Sequence, residues 1–461
     1  MSQDSINREI FSLYPNYREN SLDKKRIEYN QFSSLLKNYD KKYGLDLHTA
    51  GQSVEGKDIY LCRIGKGSTN ILAWSQMHGD ESTATRALFD LINFLFADDK
   101  FNPLRAMILE NISFYFIPML NPDGAEKFTR RNAMQVDLNR DALRLQFPES
   151  KILMSVRDSL NPVFGFNLHD QSQEYSAGLN KKPAVISFLA PPFNYARDLN
   201  DVRERSMKLI VELNQTLQDF APDMIGRYSD EFEPRAFGDN FVKKGTSTVL
   251  IESGWYPGDR EKLFVRKLNF ISLLNSLFSI AKKSYEKENI SGYLKIPENQ
   301  KLMFDLLFRE ATIFKNNRKY IIDIGVNLEE IPTGNSHYLV ESKIADIGDL
   351  STFNGYKEYD CRGLLFESGK VYPKIFKDSE DVKNVNENEF YKGGYIYVIA
   401  EYVTKVQKHP KFPIFLLPNS YKKPPDTAID SSANFIFIRG EEIIYVVVNG
   451  FVIDLSNNSE K

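Results

Sequence analysis

From residue 45 to residue 283 the chain alternates short apolar runs with stretches of helical spacing. That alternation commits the region to strands packed between helices. Asn70-Ile-Leu-Ala-Trp-Ser-Gln-Met77 reads as a buried strand, and residues 82–96 behind it place Ala84, Leu88, Leu91, Ile92 and Leu95 at helical intervals. A second apolar run covers 112–120, a third covers 163–168 and ends on His169, and 184–190 supplies a fourth. Helical patterning follows over about 195–220; the strand 248–251 then runs into Glu252, and a helix over about 259–283 closes the region. Upstream, residues 22–43 predict an amphipathic helix, and 45–64 predict a strand pair with turn chemistry at Gly51-Gln-Ser and Glu55-Gly-Lys. The expected fold class is α/β, a mixed, mostly parallel sheet flanked by helices.

After about Lys287 the texture changes. Short runs rich in Ile, Val, Tyr and Phe, such as Tyr320-Ile-Ile-Asp-Ile324 and Tyr395-Ile-Tyr-Val-Ile399, are separated by Gly, Asn and Pro. Near the end, Ile443-Ile-Tyr-Val-Val-Val448, Asn449-Gly450 and Phe451-Val-Ile453 form a strong two-residue hairpin signal. A chain of 461 residues exceeds one average domain. The expected division is a first domain over 1–288 and a C-terminal β-rich accessory domain over 289–461.

Composition narrows the partners. A formal net charge of −3 is small for this length and argues for neither nucleic acid nor an anionic membrane surface. The short basic run Lys24-Lys25-Arg26 reads as a solvated helix face. Cys62 and Cys361 cannot build a disulfide framework, and Cys62, inside an alternating run, reads as a small buried hydrophobe. The first residues lack the basic start and apolar core of a signal peptide. No apolar stretch in the sequence approaches the roughly 20 residues that span a bilayer. The expectation is a soluble cytoplasmic protein, with oligomeric state left open.

Histidine is scarce, with five in the chain: His48, His78, His169, His337 and His409. His78-Gly-Asp-Glu81 sits where a strand turns into a helix, the end at which open α/β sheets bind ligands. His169, followed by Asp170, ends another strand of the same region. Imidazole and carboxylate are both good zinc ligands, and catalytic zinc sites keep three protein ligands and one open position. His48, His337 and His409 have no such context and read as structural. Asn121-Pro-Asp-Gly124 is by itself a good turn. Beyond it, Arg130 and Arg140 with Asn139 place guanidinium groups near the sheet's ligand-binding end, where planar forks suit a carboxylate or a developing oxyanion.

In order along the chain, His78-x-x-Glu81, Asn121-Pro-Asp-Gly124, Arg130-x-Asn132, Asp137-Leu-Asn-Arg140, His169 and Glu252 resemble the zinc metallocarboxypeptidases of the carboxypeptidase A family. The resemblance covers about residues 20–285, and Gly51-Gln-Ser-Val-Glu-Gly-Lys-Asp-Ile59 resembles the segment that precedes the first ligand in many members. It implies a carboxypeptidase-like phosphorylase/hydrolase-type fold and one Zn2+ per chain, held by His78, Glu81 and His169. It further implies that Asp137 orients a ligating histidine and that Arg130 polarises the scissile carbonyl. Asn139 and Arg140 would grip a terminal carboxylate, and Glu252 would act as general base and then acid. The implied partner is a peptide or small amide substrate with a free carboxylate. The family's lid tyrosine has no counterpart in the loop 235–241; Tyr228 and Tyr256 flank it. The implied function is removal of C-terminal residues from peptides. Two others stay open: a zinc amidase or deacylase acting on cell-wall peptides or N-acyl amino acids, and a non-catalytic peptide-binding module.

Overall fold

The computed structural model describes residues 3–333, 338–377, 381–382, 386–409, 413–421 and 423–456. His337 lies outside them. Contacts divide the chain into one unit running to Lys301 and another beginning at Leu302. The sequence texture placed the change at 288/289. Residues 289–301 contact the first unit instead: Tyr293 is fully buried in its core, and Gln300–Lys301 pairs with Tyr175–Ser176.

The first unit carries ten strands: β1 (Asp46–Gln52), β2 (Asp58–Ile64), β3 (Thr69–Trp74), β4 (Ile112–Ile117), β5 (Phe164–Asp170), β6 (Tyr175–Ser176), β7 (Ile186–Leu189), β8 (Ile225–Arg227), β9 (Ser247–Ser253) and β10 (Gln300–Lys301). Eight of them form one sheet in the order β1-β2-β4-β3-β5-β9-β7-β8. The central strands β4, β3, β5 and β9 run parallel, while β1, β2 and β7 join antiparallel, so the sheet is mixed as expected. Its α-helices are α1 (Gln3–Leu13), α2 (Tyr29–Tyr43), α3 (Thr83–Leu95), α4 (Asn102–Asn111), α5 (Pro122–Lys127), α6 (Pro148–Leu160), α7 (Asp201–Gln218), α8 (Phe237–Lys243), α9 (Leu263–Lys282) and α10 (Ser291–Lys295). The helix expected over 22–43 starts only at Tyr29, and α1, α4, α6 and α8 are elements the apolar pattern did not announce.

Strand alternation decides which residues meet which layer. Ile71 and Ala73 of β3, Phe164, Phe166 and Leu168 of β5, and Val249 and Ile251 of β9 join the core beneath α2, α3, α7 and α9. Leu72 and Trp74 therefore turn to the other face, where they pack with Leu138, Leu153, Phe237 and Phe241. By the same alternation Asn167 and His169 of β5, and Leu250 and Glu252 of β9, share that second face. Cys62 is fully buried, as its place in an alternating run suggested.

Helix α9 corrects one sequence expectation. Leu263–Lys282 is long and apolar enough, by length and composition, to cross a membrane. In this unit 83% of its apolar window is buried, packed against α3, α4 and α7. Its fully buried Arg266 pairs with fully buried Asp90 of α3 at 2.5 Å and also donates to the Leu22 and Glu19 carbonyls.

The second unit is β-rich. β11 (Met303–Lys315), β12 (Arg318–Pro332), β13 (Tyr338–Gly348), β14 (Asn354–Asp360), β15 (Leu365–Ser368), β20 (Phe435–Arg439), β21 (Glu442–Val448) and β22 (Phe451–Asp454) make one sheet. β16 (Lys370–Val371), β17 (Tyr395–Ile399), β18 (Gln407–Lys408) and β19 (Phe415–Leu417) make another. The hairpin expected at Asn449-Gly450 joins β21 to β22, and both turn residues have positive φ, +49° and +75°, as a type I′ turn requires. His409 is buried in this unit.

Candidate active site

Three connections bring the candidate ligands together. β3 ends at Trp74, and the segment after it is held by backbone bonds from Leu120 N–H to the Ser75 carbonyl and from Asn121 N–H to the Gln76 carbonyl. That hold fixes His78 and Glu81 ahead of α3. The third residue, His169, lies in β5 itself, and β5 is hydrogen-bonded directly to β3.

The motif glycines have a steric reason. A Cβ on Gly79 would lie 2.0 Å from the carbonyl carbon of Gly124, so the His78 turn and the Asn121-Pro-Asp-Gly124 turn can touch only as bare backbone. Asn121 caps α5 by accepting from Gly124 N–H and donates to the Met77 carbonyl. Asp123, fully buried, accepts from Ser53 Oγ, Glu55 N–H and Lys57 Nζ, which ties the Gly51–Ile59 stretch to the same turn. Asn132 accepts from Met134 and Val136 N–H and organises its own loop. These motif positions are scaffold.

Among the described residues, His78, Glu81 and His169 form a cluster whose ligand atoms all lie within 4.8 Å of one another. His78 Nδ1 is 2.8 Å from Glu81 Oε1, His169 Nδ1 is 2.8 Å from Glu81 Oε2, and the two Nδ1 atoms are 3.1 Å apart. The edge of a tetrahedron around zinc with bonds of about 2.0–2.1 Å is about 3.3 Å, so these donors fit a zinc ion with little movement. All three residues are buried.

Neighbouring groups orient the donors. His78 turns Nε2 to Asp137 Oδ1 at 3.1 Å, the carboxylate–histidine pairing that fixes a ligand's tautomer. Burial opposes the charge on Asp137, but His78 and Arg130 outweigh it and hold the carboxyl far below its usual range. Arg130 donates to Asp137 Oδ2 and to Glu81 Oε1. Burial works against a charged His78, yet Glu81 and Asp137 raise it to about 9, whereas burial lowers His169. Asp170 N–H donates to Glu81 Oε2, and its carboxylate accepts from Thr83 Oγ1 and Lys262 Nζ. Thr83 and Lys262 were not found from sequence, because each acts only through a strand-end carboxylate distant in the chain.

Glu252 is the register partner of His169 across β9 and β5, and of Ser187 across β7. It is buried, and burial, followed by the charge of Glu81, pushes its carboxyl up to about 8. Asn139 accepts from Phe237 N–H, and its Nδ2 is 3.5 Å from His169 Nε2. Arg140 is half-exposed and reaches Glu233. Tyr228 lies within reach of the charges of Glu252 and Glu81, with its ring edge-on to Tyr175, and burial, first, raises its hydroxyl well above the usual range. Tyr256 instead packs on Phe264. Of the remaining histidines, His48 is exposed and pairs with Asp46.

A family model described as zinc carboxypeptidase matches residues 34–178. The matched region is similar to zinc carboxypeptidases. It includes every candidate site residue except Glu252, whose place follows from strand register. Carboxypeptidase SOL1 of Arabidopsis thaliana is 34% identical over 125 residues, covering 24% of this chain and 26% of that protein. Carboxypeptidase M of Mus musculus is 26% identical over 161 residues, covering 30% of this chain and 36% of that protein. The matched stretch thus spans about a quarter to a third of the length of these two carboxypeptidases. Among solved structures, the carboxypeptidase A from Helicoverpa armigera aligns with a TM-score of 0.46 at 16% identity, covering 62% of this chain and 81% of that one. The metallo-carboxypeptidase from Burkholderia cenocepacia aligns with a TM-score of 0.44 at 15% identity, covering 54% of this chain and 69% of that one.

Proposed function

We propose that this chain is a zinc-dependent carboxypeptidase that hydrolyses the C-terminal peptide bond of peptides, using one zinc ion held by His78, Glu81 and His169. The observation that carries the reading is Glu252: a buried carboxylate outside the ligand cluster, on the same sheet face and one strand from the ligand His169. A binding module has no use for such a group.

The chemistry that zinc supplies when bound is Lewis acidity, toward a carbonyl oxygen and toward water, whose pKa it lowers from about 16 to about 7. The chain's own residues do the rest. Glu252 takes the proton of the attacking water and returns it to the nitrogen of the leaving amine. Burial, with the charge of Glu81, raises the Glu252 carboxyl to about 8, close to neutral pH, where a carboxylate can both accept and give back a proton. Arg130 donates toward the carbonyl oxygen as negative charge develops there, an interaction whose loss typically costs about 100- to 1000-fold in rate. Asp137 keeps the His78 ring in place. Arg140, with Asn139 beside it, binds the carboxylate that ends the substrate.

The test is a panel of peptides with free C-terminal carboxylates, the same peptides as C-terminal amides, and N-acyl amino acids. Release of the last amino acid from the free acids alone supports the proposal. Equal cleavage of the amides contradicts it, because Arg140 then binds no anion. Cleavage of N-acyl amino acids but not peptides supports the deacylase alternative.

A further inference from the structure

Arg140 is held in place from one side. Its Nε lies 3.2 Å from Glu233 Oε2, and its Nη1 donates to the Asn139 carbonyl at 2.8 Å. Its side chain is 39% exposed, and among the described residues Nη2 makes no hydrogen bond. A carboxylate accepts two parallel N–H bonds from a guanidinium edge.

Glu233 is held just as firmly. Arg235 grips its two carboxylate oxygens at 2.8 and 2.7 Å, and the Arg235 N–H donates to Oε1 at 3.1 Å. The Glu233 N–H donates to Asp239 Oδ1, and its carbonyl accepts from Ala236 N–H. Arg235, ahead of the surrounding burial, holds the Glu233 carboxyl at about 2, so it is charged at any working pH. Both flanks of Arg140 are bonded to the same short loop: Asn139 Oδ1 accepts from Phe237 N–H, and Ala142 N–H donates to the Arg235 carbonyl. Two guanidinium groups against one carboxylate leave a single positive charge, which matches one incoming carboxylate.

We propose that Glu233 is a positioning residue that fixes the Arg140 guanidinium for the substrate's terminal carboxylate, with Arg235 bracing Glu233. The inference rests on the carboxypeptidase reading. A rotating Arg140 loses rotamer entropy at each binding event; a braced one has already lost it. Glu233 therefore acts on substrate binding more than on the chemical step.

The opposite role, in which Glu233 competes with substrate for Arg140, predicts the opposite sign. The probe is an N-benzoylated dipeptide with a free C-terminal carboxylate, chosen from those the wild type cleaves, together with its C-terminal amide. For Glu233→Ala the expected result is a KM about tenfold higher, kcat within about twofold, and weaker discrimination between acid and amide. Glu233→Asp should recover part of the KM, and Arg235→Ala, which leaves Glu233 in place, should move KM in the same direction by less. Unchanged zinc content and melting temperature separate these effects from misfolding. An unchanged or lower KM in Glu233→Ala, with an active wild type, overturns the inference alone. A wild type that cleaves no free acid overturns the carboxypeptidase reading beneath it.

Discussion

Glu252 and His169 stand opposite one another on neighbouring parallel strands, on the sheet face that α6 and α8 cover. The register places a carboxylate beside His169 and outside the group His78, Glu81 and His169 that could hold a metal ion. Glu252→Gln should therefore bind zinc as wild type does while turnover falls by about 100- to 10,000-fold, the usual worth of a positioned acid–base group. Zinc content by elemental analysis and steady-state kinetics check both halves. Lost zinc in this variant would place Glu252 among the ligands.

Asp137 touches His78 through the ring nitrogen that faces away from the cluster. Asp137→Asn should weaken zinc binding by about 10- to 100-fold, measured by competition with a chelator. An unchanged affinity would mean the His78 tautomer is set elsewhere.

Much of this site was legible in the sequence because its residues sit at strand ends, where apolar runs stop and chemistry-bearing residues follow. His78, Glu81, His169 and Glu252 all fall at such points, and strand alternation predicts which face His169 and Glu252 take. What could not be read depends on contacts distant in the chain. Asn121 and Asp123 serve as scaffold because Gly124 meets Gly79 and Asp123 captures Ser53 and Lys57, partners some 45 to 70 residues away. The bond between Arg140 and Glu233 is hidden for the same reason. Helices α6 and α8 were missed because only part of each faces the core, and α9 was underrated because its apolar stretch contains Arg266 and Lys267.

The buried pair of Arg266 and Asp90 gives a stability prediction. Tyr14 Oη also donates to Asp90, so Asp90→Ala leaves a buried guanidinium and a hydroxyl without their acceptor. The expected loss is about 3–5 kcal/mol, read from urea unfolding of the full chain. A loss below about 1 kcal/mol would show that water reaches Arg266 readily.

Asp99 supplies a pH dependence. Burial opposes its charge, but Arg105, the Phe101 N–H and Tyr17 Oη outweigh that and hold the carboxyl at about 2. Its folded pKa is below the unfolded value of about 3.9. The stabilisation is therefore present above about pH 4 and is lost as pH falls through about 2. Melting curves of wild type and Asp99→Asn should differ near neutrality and converge as pH falls toward 2. A gap that does not change with pH would remove Asp99 from the acid response.

In the proposed function, zinc held by His78, Glu81 and His169 works with Glu252 to release C-terminal amino acids. Its most direct test is mass-spectrometric detection of the amino acid freed from a peptide with a free carboxylate. Chelated wild type, the same sample reloaded with one equivalent of zinc, and zinc-loaded Glu252→Gln should be compared side by side. Release is expected only from the reloaded wild type. Release by the chelated protein, or undiminished release by Glu252→Gln, would contradict it.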